Sequence, residues 1–423
     1  MRNSRLPVTI AVLAIALLPA LSQADTTANA ATNAPDAAAV IDGLQAQAES
    51  GDSEAQVQLG NVFDFGEGVV EDNHKAIEWY RLAADQGNPA GQFYLATMYY
   101  FGEGVRADNA AALEWFRRAV EGEQPDVDAQ LYLGIMYENG EGVSQNTAKA
   151  AEWYRLAAEG GVPDAQFYLG DLLFNGNGVA QDKTEAARWY RAAAEQGHPD
   201  AQLYLGNMHE LALGIPQDYA KAEYWYRLAA EQGQHDAQLF LGNLYYNGTG
   251  VEQDDGLAAQ WYSLAAEQGN ATAQYYLGDM YLMGGGVPSD PQAAYEWKRR
   301  AAEQGHAEAQ FDVGIAYQAG AFVPKDYVEA AHWYRLSATQ GVAKSIGQLG
   351  IWYKTGTGVE EDQVVAYSLL RLASQLGNAN AKTQLAAVTQ ALSPEQIDEA
   401  ERLANAWQPG AELPRPEDSR SWP

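Results

Sequence analysis

The sequence predicts an all-α solenoid made of nine copies of a unit of about 36 residues. Tryptophan marks the period, since eight copies carry it in one column and the ninth carries Leu369 there. The column is Trp79, Trp115, Trp153, Trp189, Trp225, Trp261, Trp297 and Trp333. Within each copy the apolar residues follow a helical spacing and not an alternating one. Such units bury their apolar faces by stacking on their neighbours, so the sequence favours a long binding surface over one deep catalytic pocket.

The first 24 residues have the pattern of a secretory signal peptide. Arg2 and Arg5 precede the apolar residues 8–21, and small residues then lead to a predicted cleavage after Ala24. We therefore expect a periplasmic or secreted protein with no membrane insertion once this segment is removed, the alternative being a retained anchor helix. Residues 25–38, rich in alanine, asparagine and threonine, are expected to form a flexible linker.

A half-unit and nine full units follow the linker. Residues 39–50 match the second half of a unit and predict an N-terminal capping helix, and residues 51–377 contain the repeats. In the fourth copy, residues 163–174 form the predicted first helix, a glycine loop follows, and Asp182 caps the second helix, which Gly197 ends.

A small residue stands in the middle of every first helix. Glycine there costs roughly 1 kcal/mol relative to alanine, so its recurrence predicts a close crossing of two helices. The column is Gly60, Ala96, Gly134, Gly170, Gly206, Gly242, Gly278, Gly314 and Gly350.

The C-terminal end of the array has its own predicted cap. Ser393, Pro394 and Gln396 have the pattern of a capping box with proline at the first helical position. We expect C-terminal capping helices within residues 378–407 and a disordered tail over residues 408–423.

Blocks such as residues 164–170 (DAQFYLG) and 222–233 (AEYWYRLAAEQG) resemble the Sel-one-like repeat family, relatives of the tetratricopeptide repeats. The resemblance covers residues 51–377. It implies a right-handed α/α superhelix that acts as an adaptor or scaffold. Exported bacterial members are similar to regulators of envelope sensors, exopolysaccharide assembly proteins and host-interaction factors.

Charge narrows the classes of partner. The chain carries a formal charge of −30, which disfavours nucleic acid and anionic lipid. This field either steers basic protein partners toward the chain or serves only to keep it soluble. Both interpretations stay open at this point.

The sequence offers no convincing catalytic, cofactor or metal site. Cysteine is absent, and the common nucleophile, phosphate-loop and zinc motifs do not occur. An aspartate column precedes the second helices, and helix capping explains it better than calcium, because each loop supplies about one acid. An arginine column two residues after the tryptophan column is predicted to bridge adjacent repeats. We therefore expect no enzyme activity, no cofactor and no metal.

The candidate partner-binding residues lie one and four positions after the mid-helix small residue, on the face that is concave in tetratricopeptide repeats. Amides, carboxylates and aromatic rings in these columns suit an extended peptide. The candidates are Asn61, Thr97, Tyr100, Asp171, Phe174, Asn207, Glu210, Asn243, Tyr246 and Asp279.

These observations favour a non-catalytic scaffold of the bacterial envelope that binds a partner protein or an extended peptide. The first alternative is a protein that binds a glycan or exopolysaccharide strand, since tyrosine-lined acidic grooves also suit sugars. The second is an envelope hydrolase acting on peptidoglycan or a β-lactam.

Overall fold

The computed structural model describes residues 37–414, which form two compact units, residues 37–162 and residues 163–414. Every regular element in the described residues is an α-helix. The predicted signal peptide and the linker up to residue 36 lie outside the described residues, and the last two residues of the predicted linker belong to the first helix.

The first unit contains seven helices, and its repeats pair α2 with α3, α4 with α5 and α6 with α7. The helices are α1 Ala37–Glu49, α2 Ser53–Phe65, α3 Asn73–Asp85, α4 Pro89–Phe101, α5 Asn109–Ala119, α6 Val127–Asn139 and α7 Thr147–Glu159.

The second unit contains six further helix pairs, from α8 with α9 to α18 with α19, and two closing helices. The helices are α8 Pro163–Asn175, α9 Lys183–Glu195, α10 Pro199–Glu210, α11 Tyr219–Glu231, α12 His235–Asn247, α13 Asp255–Glu267, α14 Ala271–Met283, α15 Pro291–Glu303, α16 Ala307–Ala319, α17 Tyr327–Thr339, α18 Ala343–Thr355, α19 Gln363–Gln375, α20 Ala379–Thr389 and α21 Pro394–Ala406.

In each unit a first helix packs on the second helix of its own repeat, and that second helix packs on the first helix of the following repeat. This is the stacked α/α arrangement of a solenoid, and it confirms the predicted fold class. No helix within residues 37–414 is both long and apolar enough to span a bilayer.

A tyrosine on the second helix occupies the notch left by the mid-helix glycine. A Cβ atom on Gly60 would lie 2.4 Å from Tyr80 Cε1, and one on Gly242 would lie 2.6 Å from Tyr262 Cδ1. Both rings are almost fully buried. The predicted close crossing of the two helices is therefore confirmed. The tyrosine ring occupies the space that any side chain at the glycine position would need.

The predicted aspartate caps are confirmed. Asp182 Oδ1, for example, accepts a hydrogen bond from the Glu185 amide at 2.8 Å. The same role falls to Asp72, Asp108, Asp218, Asp254, Asp290, Asp326 and Asp362.

Buried glutamines connect successive repeats. Gln238 Nε2 donates to the Ala230 carbonyl of the preceding repeat at 3.1 Å, and Gln238 Oε1 accepts from Gln268 Nε2 at 2.8 Å. The same pair of bonds recurs at Gln56, Gln202, Gln274 and Gln310. The ninth repeat breaks this ladder, because Ile346 stands in the glutamine column.

The arginine column reaches the next repeat, as predicted, but its usual partner is a tyrosine. Arg335 Nη2 donates to Tyr353 OH at 2.6 Å, and Arg117 Nη2 donates to Tyr137 OH at 2.8 Å. Arg299 instead pairs with the acid four residues later, with Nε 2.9 Å from Glu303 Oε1.

The C-terminal helices close the second unit with the predicted capping box. Ser393 Oγ accepts from the Gln396 amide at 3.3 Å, and Gln396 Oε1 accepts from the Ser393 amide at 3.0 Å. Residues 408–414 pack against the rest of the chain, whereas the sequence predicts a disordered tail there. There the Gly410 amide donates to the Thr339 carbonyl at 2.7 Å and Leu413 is buried, because this segment covers apolar surface at the end of the stack. Residues 415–423 lie outside the described part of the chain.

Candidate functional site

The two candidate columns surround the hydroxyl of the buried second-helix tyrosine. Tyr80 OH donates to Asn61 Oδ1 at 2.8 Å and lies 3.1 Å from Asp64 Oδ2. Asn61 and Asp64 stand one and four positions after Gly60, so one helical turn brings both side chains to the same hydroxyl. Asn61 and Asp64, which are half-buried, therefore accept the hydrogen bond that the buried Tyr80 hydroxyl needs.

The same arrangement appears in later repeats. Tyr226 OH lies 2.7 Å from Asn207 Oδ1 and 2.6 Å from Glu210 Oε2. Tyr262 OH donates to Asn243 Oδ1 at 2.7 Å. Sequence reasoning identified these acceptors but missed the donor, although a tyrosine follows the tryptophan in most repeats.

The candidates in the first unit have further internal contacts. Thr97 is buried and its Oγ1 donates to the Tyr94 carbonyl at 2.7 Å. Tyr100 OH donates to Glu141 Oε2 at 2.5 Å, and its ring makes an edge contact with Phe116.

The candidates in the second unit are half-buried or exposed. Asp171 Oδ1 accepts from Asn175 Nδ2 at 3.1 Å, and Lys183 Nζ lies 5.0 Å from the centre of the Phe174 ring. Tyr246 is 37% exposed, with its ring 6.5 Å from that of Tyr262. Asp279 is half-buried and forms an ion pair with Lys298.

Burial changes the acidity of the Asp64 carboxyl. Desolvation raises its pKa to about 6, and the negative charges of Glu103 and Glu71 act in the same direction, while the hydrogen bond from Tyr80 lowers it. Asp64 therefore keeps its proton to a higher pH than an ordinary aspartate does.

Large apolar side chains are exposed on consecutive first helices in repeats six to eight. We call this group, together with Asp279 and Asp312, the repeat 6–8 patch. Its apolar members are Tyr246, Tyr276, Leu282, Met283 and Ile315. Tyr246 and Tyr276 both contact the Tyr262 ring, which brings α12 and α14 together at this surface.

Repeat seven departs from the tyrosine pattern. Lys298 replaces the buried tyrosine, and its Nζ lies 2.5 Å from Asp279 Oδ1 and 2.6 Å from Asp312 Oδ2. Sequence reasoning missed this site. The available signal was a lysine in a column that is otherwise aromatic or apolar.

Metal binding finds no support in the described residues, where no group of three or more histidine and carboxylate side chains is placed to hold an ion. His306 instead stacks on Tyr275 with ring centres 4.6 Å apart, and its Nδ1 accepts from the Ala309 amide as a helix cap.

Comparisons with known proteins agree on the repeat type. A family model described as the Sel1 repeat matches nine successive segments, the first at residues 53–88 and the last at residues 343–378. A search of the curated proteins found no match.

Two solved structures are similar along most of their length. The first is c5321, a protective antigen of uropathogenic Escherichia coli strains that displays an SLR fold. It is 33% identical over 87% of this chain and 86% of its own, with a TM-score of 0.62. The second is a Sel1 repeat protein from Oxalobacter formigenes, 34% identical over 73% of this chain and 89% of its own, with a TM-score of 0.56. The nine matched repeats and these two likenesses together establish that the chain belongs to the Sel1 repeat family.

Proposed function

We propose that this chain is a non-catalytic scaffold of the bacterial envelope that binds a partner protein along the surface of its first helices. Sel1 repeat proteins generally mediate protein–protein interaction and are generally non-catalytic. The envelope location rests on the signal-peptide pattern of residues 1–24.

The observation that carries the proposal is the exposed apolar surface of repeats six to eight. Leu282 is 51% exposed and Ile315 is 43% exposed, on first helices of adjacent repeats. Contiguous exposed apolar groups mark interaction surfaces, because leaving them in water costs free energy that a partner can recover. Carboxylates at the same surface would orient a polar or charged group of the partner.

A capture experiment tests the proposal. The tagged mature chain is incubated with envelope extract of its own organism, crosslinked, and the captured proteins are identified by mass spectrometry. We expect the double variant Leu282→Ser/Ile315→Ser to lose the main captured protein. The matched control, Leu264→Ser/Leu336→Ser, removes two comparably exposed leucines from second helices and should retain it.

Digesting the polysaccharide in the extract before capture distinguishes a protein partner from a glycan partner. Capture that persists after digestion supports a protein partner. Capture that disappears with the polysaccharide, or that is the same in both double variants, would overturn the proposal.

A further inference from the structure

We propose that the repeat 6–8 patch is a docking site for an extended peptide segment in which a lysine or arginine is flanked by apolar side chains. This inference rests on the proposed scaffold function and names the chemistry of its partner.

Helical spacing and one ion pair bring the patch residues to a common surface. On α14, Tyr276, Asp279 and Met283 are spaced i, i+3, i+7 and so share one face, and on α16 Asp312 and Ile315 are spaced i, i+3. Lys298 contacts both Asp279 and Asp312, so the two faces lie side by side. Carboxylates and exposed apolar side chains therefore share the neighbouring faces of α14 and α16.

The two carboxylates are held in position but not neutralised. Lys298 is buried, and its Nζ lies 2.5 Å from Asp279 Oδ1 and 2.6 Å from Asp312 Oδ2. Two carboxylates against one ammonium leave one net negative charge. Their side chains are 30% and 28% exposed, so both carboxylates are accessible to an incoming cation. Charge-assisted bonds of this kind are stronger than neutral ones, and the fixed geometry lowers the entropy lost on binding.

The charge of the three first helices selects a basic partner. Helices α12, α14 and α16 contain no lysine or arginine, and they contain Asp236, Asp279, Glu308 and Asp312. The next first helix differs, because α18 carries Lys344 and Lys354. The earlier first helices, α2 to α10, also lack lysine and arginine, so the exposed apolar side chains are what distinguish the patch, and they select against a partner that is only polar.

The probe for the first test is a fluorescein-labelled twelve-residue peptide of alternating lysine and leucine, with a lysine–glycine peptide of equal charge for comparison. Binding to the full mature chain is measured by fluorescence anisotropy at 150 mM salt, which suppresses long-range attraction. We expect the lysine–leucine peptide to bind at least tenfold more tightly than the lysine–glycine peptide. Equal affinity for the two would overturn the proposal.

Variants then localise the binding. Leu282→Ser/Ile315→Ser and, separately, Asp279→Asn/Asp312→Asn should each weaken the lysine–leucine peptide at least tenfold. The matched controls are Leu264→Ser/Leu336→Ser and Glu252→Gln/Glu296→Gln, the second of which removes the same number of charges elsewhere, and both should stay within twofold of wild type. Equal weakening in patch and control variants would refute the site.

The asparagine pair removes the partners of a buried ammonium, so its folding is checked by circular dichroism. If it fails to fold, the exposed Leu282 and Ile315 decide the question. Loss of peptide selectivity while envelope capture persists would contradict only this docking site. Absence of any captured protein would contradict the scaffold function itself, and capture of a second copy of this chain through the patch would replace the peptide assignment.

Discussion

Lys298 Nζ lies 2.6 Å from Asp312 Oδ2 at a place where the corresponding residues of other described repeats bring two aromatic rings together. In those repeats the ring centres are 5.1–5.5 Å apart. The pairs are Tyr80–Tyr94, Phe116–Tyr132, Tyr190–Tyr204, Tyr226–Phe240 and Tyr262–Tyr276. At the junction of repeats seven and eight both members are exchanged together, Lys298 in repeat seven and Asp312 in repeat eight, so that an ion pair stands where a ring contact would otherwise be.

This exchange predicts strong coupling between the two positions. Lys298→Tyr leaves Asp279 and Asp312 without their shared cation, and we expect a loss of ~2 kcal/mol in the free energy of unfolding. Asp312→Tyr should cost ~1 kcal/mol, because Lys298 keeps Asp279 as a partner. The double variant restores a pair of rings and should recover most of both losses.

Urea unfolding of the four proteins gives the coupling energy, which we expect to be ~1–3 kcal/mol. Gly278 favours this outcome because it retains the notch that receives a tyrosine elsewhere. Additive losses would contradict the interpretation of the pair as a substitute for stacked rings.

The mid-helix glycines predict opposite effects for one substitution at two sites. In Gly60→Ala the new methyl group would lie 2.4 Å from the Tyr80 ring, and the overpacking should outweigh the gain in helix propensity. We expect a net loss of ~1 kcal/mol or more. Gly43, in the middle of α1, has nothing within 4 Å of such a methyl group, so Gly43→Ala should stabilise by up to ~1 kcal/mol. If the thermal unfolding midpoints of Gly60→Ala and Gly43→Ala shift in the same direction, the steric role assigned to Gly60 is wrong.

The acidity of Asp64 predicts a pH dependence of stability. Its pKa is raised from 3.8 to about 6, so between these values the folded chain holds a proton that the unfolded chain releases. This contribution to the free energy of unfolding is present in full below the lower value and is lost as the pH rises through about 6.

Between about pH 4 and pH 7 the wild-type chain should lose free energy of unfolding as Asp64 ionises. In Asp64→Asn this loss should be smaller by ~1 kcal/mol, a figure that allows for the partial exposure of the carboxyl. Urea unfolding of both proteins across this range measures the difference. Parallel stability curves would show that Asp64 does not titrate in this window.

The glutamine ladder predicts a cost for removing one buried amide. Gln238→Met keeps the length of the side chain but removes its bonds to the Ala230 carbonyl and to Gln268. We expect a loss of ~1–2 kcal/mol in the free energy of unfolding. Gln260→Met, at an exposed position of the following helix α13, serves as the control and should have little effect. Similar losses in the two variants would indicate that the ladder bonds contribute no net stability.

The helices and their ends were predictable because their causes are local. Asp182 caps α9 through an amide three residues away, and Ser393 with Gln396 caps α21 across the same short distance. The repeat period also follows from sequence, since each unit presents the same apolar face to the next. These relations are contained within one helix or one repeat.

The sequence located the two candidate columns, but it did not predict which atoms their side chains contact. Asn207 and Glu210 were read as groups for a partner, and the structure brings both to the buried Tyr226 hydroxyl. The residues concerned are 19 and 16 positions apart. The crossing of two helices decides which atoms meet over such a separation, and a column of residue types does not contain that geometry.

By itself, then, the sequence determined the repeat, the two helices of each copy and their caps, because short-range hydrogen bonding and apolar spacing set these, and its composition determined the acidic character of the chain. Only the tertiary structure decided that Lys298 joins Asp279 to Asp312 and that the apolar side chains of repeats six to eight stay exposed beside them. Both features depend on distances between helices that are far apart in sequence, within repeat seven and between repeats seven and eight, and packing sets those distances.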